Sequence, residues 1–333
     1  MVAQYGPSCL IENLATMEDG HAGLTFGMDV AWAAGKRRAR YVLKVAPVGV
    51  KRRGNTDVFR QVPLLCALQA RGLPVPRIVW ASADEQELGT PFLIMERLPG
   101  RTFVCWEPHP SFPRDPGTVR PLWLQGARLL AKVHRFDWQA HLAGWEKPRG
   151  LSDELGKWRS ILAHAQNVRW LEAGDELAAR LRRSMPADNT IGLVHGDYQP
   201  GNILYHKGEI SGLVDWELAF IGPQGVDVGW LLMMSDSDSW APNWRPIAPV
   251  PDSELIQAYI DTGGPAAANS RWFHALANYR MGAIACLNVK LHRSGKRPDE
   301  LWERFAPSID CLFRRGMELL ESSDTLRNVG DCQ

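Results

Sequence analysis

Between Leu193 and Glu217 the chain reads LVHGDYQPGNILYHKGEISGLVDWE. Two carboxylates and a carboxamide stand in it at set offsets: Asp197, then Asn202 five positions on, then Asp215 after a second apolar run. Such a set suits transfer of a phosphoryl group from a nucleotide to a hydroxyl, which asks the protein mainly for positioning and charge neutralisation. One carboxylate, Asp197, orients the attacking hydroxyl and takes its proton. Asn202 and Asp215 offer hard oxygen atoms that hold Mg²⁺ against the phosphates. Any one of these residues would as readily cap a turn; the argument rests on the ordered set.

Positioning them takes two short strands. Val194 leads into His195, Gly196 and Asp197, Ile203 and Leu204 follow Asn202, and Leu213 and Val214 lead into Asp215. Lys207-Gly208 between the apolar runs is a hairpin signal, so the three polar residues are expected at one edge of a small hairpin. Upstream, residues 10 to 46 pattern as three antiparallel strands. The turn-rich MEDGHAGLTFG between the first two holds Gly20, Gly23 and Gly27, where backbone amides would approach phosphates as readily as form a plain hairpin turn. In RYVLKVA, 40 to 46, Val42, Lys44 and Ala46 share one strand face. A lysine there is costly to bury unless paired, which points to an anionic partner.

HGDYQPGN has the HxDxxxxN spacing of a kinase catalytic loop, and DWE stands where protein kinases have DFG. With VDWE, and with GLPVPRIVWASADEQELGTPFLIMERLPG at 72 to 100, the chain resembles the aminoglycoside phosphotransferase family in its broad, choline-kinase-like sense, particularly the branch of kinases associated with acyl-CoA dehydrogenases. The resemblance runs from about residue 10 to about 235. It implies an α+β, two-lobed protein-kinase-like fold. The N-lobe, residues 1–100 with the hinge, would hold a five-stranded antiparallel sheet and a helix; the mostly helical C-lobe, residues 101–333, would carry the catalytic hairpin and the acceptor site. It further implies ATP as co-substrate, Mg²⁺, and a small-molecule hydroxyl as acceptor. Lys44 would contact the α- and β-phosphates, Val42 would cover the adenine, backbone groups of Glu96 and Leu98 would read its edge, and Gly20 with His21 would lie at the phosphates. In the helix expected over 55 to 70, Gln61 falls where the family has the lysine's glutamate partner, and Asp57 is a possible substitute. An inactive, nucleotide-binding protein of the same fold is the alternative function; retention of Lys44, Asp197, Asn202 and Asp215 together argues against it.

The remaining pattern is helical: residues 118 to 137, 152 to 184, 225 to 234, 252 to 262, 269 to 293 and 298 to 321. His134 reads as a structural hydrogen-bonder, and Asp227 as a cap or a brace for the catalytic loop. The loop SDSDSWAPNWRPIAPVP, 235 to 251, is expected to border the acceptor site. A polycationic acceptor would use Asp236, Asp238 and Asp252; a CoA thioester or a phosphorylated sugar would use a basic band of Arg271, Arg280, Lys290, Arg293, Lys296 and Arg297.

Composition excludes several classes. With 333 residues, 45% hydrophobic and 23% charged, and 38 basic against 37 acidic side chains, no global field recruits nucleic acid or a membrane surface. No apolar run approaches the ~20 residues that span a bilayer. Six scattered cysteines form neither a CxxC nor a Cys/His pairing, so a reducing, cytoplasmic setting is expected.

Overall fold

The computed structural model describes residues 5–17, 24–187 and 189–330, with side chains to 321. Its contacts divide the chain into two compact units: Met1–Arg101 with Gln139–Trp145 and Ile203–Leu218, and Thr102–Trp138 with Glu146–Asn202 and Ala219–Gln333. The first break falls beside the boundary expected at residue 100. Two later segments, one of them the hairpin after Asn202, also belong to the first unit.

The first unit is built on β1 (Leu10–Thr16), β2 (Leu24–Trp32), β3 (Arg37–Val45), β4 (Ile78–Ser82) and β5 (Phe92–Glu96), an antiparallel sheet in the order β1-β2-β3-β5-β4. Strand alternation gives it two apolar faces. Met28, Val30, Tyr41, Phe92 and Ile94 pack on one. Val42, Ala46, Val58, Leu93 and Met95 pack on the other, the face that Lys44 shares. Helix α1 (Gln61–Ala70) follows two 3₁₀ turns, and Pro63 lies in its first turn, where the missing N–H costs nothing. A short α2 (Glu85–Leu88) joins β4 to β5. The hairpin of β8 (Ile203–His206) and β9 (Glu209–Leu213) turns through Lys207 and Gly208, both at positive φ (54° and 84°), as a two-residue hairpin requires. Beside it, Gly212 lies so close to Leu98 that a Cβ would collide with the leucine side chain.

Short β6 (Arg101–Thr102) and α4 (Trp138–His141) lie where the chain passes between units. The second unit holds α3 (Pro116–His134), α5 (Leu151–Leu162), α6 (Val168–Arg183), α7 (Gly225–Ser235), α8 (Asp252–Asp261), α9 (Ser270–Arg293), α10 (Glu300–Phe305) and α11 (Ser308–Gly330) around the strand pair β7 (Ile191–Val194) and β10 (Phe220–Pro223). Every residue of α7 is buried. Gly229 lets it approach α9 so closely that a Cβ would strike the Phe273 carbonyl.

Two expectations change. The helical stretch at 152 to 184 is two helices, the second capped by Asn167, whose side chain accepts from the Arg169 N–H. The last stretch is likewise broken, with Pro307 between α10 and α11. In the loop 235 to 251, Trp240 and Trp244 are buried, stack edge-on against Phe305, and donate to the carbonyls of Met233 and Arg304.

Candidate active site

In the first unit, β3 delivers Lys44 and the end of the β8–β9 hairpin delivers Asp215 and Glu217. The ammonium lies 3.0 Å from Asp215 Oδ1 and 3.9 Å from Glu217 Oε2. Burial works against its charge, the two carboxylates outweigh burial, and the lysine pKa is raised. These carboxylates are the lysine's partners in place of the expected Gln61 or Asp57; Asp57 instead accepts from the Arg60 N–H and caps the turn before α1. Asp215 has φ of 64°, in the left-handed region that a non-glycine residue adopts only when its surroundings hold it there. Two contacts hold this turn. The buried Trp216 indole donates to the Leu213 carbonyl at 3.1 Å, and Arg60 donates to the Glu217 carbonyl at 3.1 Å while its guanidinium stacks on Trp145.

At the end of β5, the Glu96 side chain is taken up by Arg77, and its N–H donates to the Arg77 carbonyl. Val42 lies in the apolar face shared with Lys44. Gly20 and His21 lie outside the described residues.

In the second unit, β7 delivers His195, Gly196 and Asp197. Asp227, at the start of α7, accepts from the N–H groups of His195 (2.6 Å) and Gly196 (2.9 Å) and is bonded to His134, which meets Tyr259 at 2.7 Å. Burial would raise the Asp227 pKa; His134, His195 and the donated bonds lower it instead, so a buried carboxylate braces the loop. The Asp197 carboxylate accepts from Trp230 Nε1 at 2.8 Å and Gln199 Nε2 at 2.9 Å on Oδ1, and from Asn202 Nδ2 at 2.9 Å on Oδ2. The same Asn202 nitrogen also donates to the Asp197 carbonyl, which leaves the carboxamide oxygen as that side chain's ligand atom.

Several of these residues were invisible to pattern. Glu217 lies inside the DWE motif, whose spacing says nothing of its second carboxylate. Trp230 reads as one apolar residue of an apolar helix, and Arg280 as one member of a surface basic band. The structure removes Arg280 from that band: it is buried, and it donates to the Gly196 carbonyl. Arg293 is paired with Glu303. Two of the three acidic candidates are likewise committed, Asp236 to Arg315 and His274, and Asp252 to His274, while Asp238 is exposed.

Fold and site chemistry together define the class: a two-lobed α+β protein of the kinase-like kind, and a small-molecule kinase. The sequence profile of the phosphotransferase enzyme family matches residues 27–273, and the chain belongs to that family. It is 31% identical over 233 residues, 64% of its length, to an Arabidopsis thaliana protein that carries the name acyl-CoA dehydrogenase IBR3, and 26% identical over 297 residues, 84% of its length, to acyl-CoA dehydrogenase family member 11 of Gallus gallus. The chain spans only 27% of the first relative and 37% of the second. Among solved structures, a Ralstonia eutropha protein with a provisional aminoglycoside phosphotransferase name superposes with a TM-score of 0.74 at 20% identity, covering 95% of this chain and 96% of that one. At that identity the likeness speaks for the fold.

Proposed function

We propose that the protein transfers the γ-phosphoryl group of ATP to a hydroxyl of a small molecule. In this reading the acceptor oxygen bonds to the γ-phosphorus, its proton passes to Asp197, the bond from that phosphorus to the bridging oxygen breaks, and ADP leaves. Asn202 and Asp215 hold Mg²⁺, which when bound neutralises phosphate charge. Both offer hard oxygen atoms, and among the described residues no group of three or more His, Cys, Asp or Glu side chains forms a metal cage. Oxygen donors of this kind would suit Mg²⁺. Lys44 holds the α- and β-phosphates, Val42 packs on the adenine, the backbone of Glu96 and Leu98 reads its edge, and Gly20 and His21 complete the phosphate grip.

The observation that carries this reading is the pair of Lys44 and Asp215 at 3.0 Å. It sets the strand lysine beside the carboxylate that the motif gives to the metal. For the acceptor, a hydroxyacyl-CoA-like molecule is favoured over an aminoglycoside-like one. The carboxylates of Asp236 and Asp252 are already occupied within the protein, and the relatives are named for acyl-CoA chemistry. A reducing cytoplasm suits the free cysteines.

A coupled ADP-release assay over hydroxyacyl-CoAs, aminoglycosides and amino alcohols tests the reading. Turnover is expected on one of these hydroxyl classes. Asp197→Asn should then lose ~10²- to 10⁴-fold in kcat while still binding Mg·ATP by calorimetry. Absence of release on every hydroxyl acceptor, or undiminished turnover by the variant, would count against it.

A further inference from the structure

Three buried side chains of the second unit have no part in the reaction as drawn. Arg280 lies in the middle of α9, its guanidinium between two indoles, with Cζ 4.6 Å from the Trp158 ring centre and 4.4 Å from that of Trp230. It donates to the Gly196 carbonyl, while Nε and one terminal nitrogen are buried without a hydrogen-bond partner. Burial pulls its pKa down, against the attraction of Glu154, Asp197 and Asp227. A fully buried cation with two unmatched donors is a poor way to stabilise a core. The contacts that remain are the two stacked rings and the carbonyl one residue before Asp197.

Trp158 is fixed from its far side, its indole N–H donating to Glu154 at 3.1 Å. Trp230 is held by the guanidinium and the fully buried α7, and its own N–H reaches Asp197 Oδ1. Two donors, Trp230 and Gln199, thus meet on one carboxylate oxygen, and two bonds to one oxygen fix the rotation of the short aspartate side chain. The Asn202 nitrogen on Oδ2 also bonds the Asp197 carbonyl.

We propose that Trp230, locked in a Trp158–Arg280–Trp230 stack, is a positioning residue for Asp197: its indole N–H on Oδ1 holds the carboxylate in the rotamer from which it takes the hydroxyl proton. The proposal rests on the phosphotransfer reading for its function, and on the indole-to-carboxylate bond for its geometry.

The two are tested separately. Trp230→Phe keeps a ring against the guanidinium and deletes the N–H; Arg280→Lys keeps the charge and deletes the planar stack. Each should lower kcat by about tenfold or more, the loss of one hydrogen bond to a charged group, with KM for Mg·ATP unchanged within about twofold. A purely structural role would instead change nucleotide binding and thermal midpoint in parallel. Independently of turnover, the ¹⁵N–¹H indole resonance that vanishes in Trp230→Phe should shift in Asp197→Asn and in Arg280→Lys. A resonance unmoved by Asp197→Asn overturns the proposal whether or not an acceptor is found, as does native kcat in Trp230→Phe. A shifted resonance in a protein that phosphorylates no hydroxyl upholds the bond and overturns the phosphotransfer reading.

Discussion

Lys44 is held by carboxylates on the hairpin side, and this separates its two jobs. Its side chain is 12% exposed, and those of Asp215 and Glu217 are 31% and 14% exposed. Removing the ammonium would take away the cation that lies beside both of these partly buried carboxylates. Lys44→Met should destabilise the protein by about 1–3 kcal/mol, the cost of unmatched buried polar groups, and weaken Mg·ATP binding by about tenfold or more. Adding Glu217→Gln removes one of the two negative charges beside the lost ammonium, so the double variant should regain thermal midpoint without regaining nucleotide binding. Denaturation and calorimetry on the same samples check this; joint recovery would mean that the lysine only stabilises the turn. The lysine itself was legible in the sequence, because a charge on an otherwise apolar strand face stands out locally. Its partners were not, since the 171 positions between Lys44 and Asp215 are crossed only by the folded chain.

At the scale of elements, turn chemistry located the β8–β9 hairpin within a residue or two, because that signal is local, whereas β2 begins at Leu24, inside the stretch read as turn, and takes Gly27 into the sheet opposite Val42. The loop after α7 gives no such local signal for its core: the burial of Trp240 and Trp244 is decided by α10 and α11 further along the chain. The same region ties four helices through His274 on α9, which lies 3.0 Å from Asp252 at the start of α8 and 3.3 Å from Asp236 after α7, itself 2.7 Å from Arg315 on α11. Burial opposes the imidazolium, and the two carboxylates raise its pKa above the ordinary 6.5. Burial likewise opposes charge on Asp236, and His274 with Arg315 holds its pKa well below the usual range. The signs follow. Stabilisation from His274 is complete below about pH 6.5 and is lost as pH rises through its folded value. That from Asp236 is present above about pH 4 and is lost as pH falls toward its depressed value. A thermal midpoint that declines on both sides is expected, and His274→Gln should flatten the alkaline decline. An unchanged alkaline limb in that variant would place the titration elsewhere.

Over the whole molecule, the division into units does not follow the chain. The first unit draws Gln139–Trp145 and Ile203–Leu218 from beyond its own sheet, and with them Trp145, Asp215 and Glu217. A fragment ending at Arg101 therefore keeps the strands and Lys44 but lacks the lysine's carboxylates, the Arg60 stack and the hairpin packed on Leu98. It should show no cooperative thermal transition and no binding of Mg·ATP, whereas the intact chain should show both. A fragment that melts cooperatively would mean that the sheet is self-sufficient.

That interleaving also sets a clock. On the ribosome, about 120 residues must be made after Arg101 before Leu218 is available, which at ordinary elongation rates takes ~6–24 s. Through that interval the emerging unit has its five-stranded sheet but not the β8–β9 hairpin, and the apolar face around Val42 and Met95 must wait beside a Lys44 whose carboxylates are not yet made. The kinase-like half of this chain thus begins synthesis first yet is completed late, and its nascent form is a natural client for a holding chaperone.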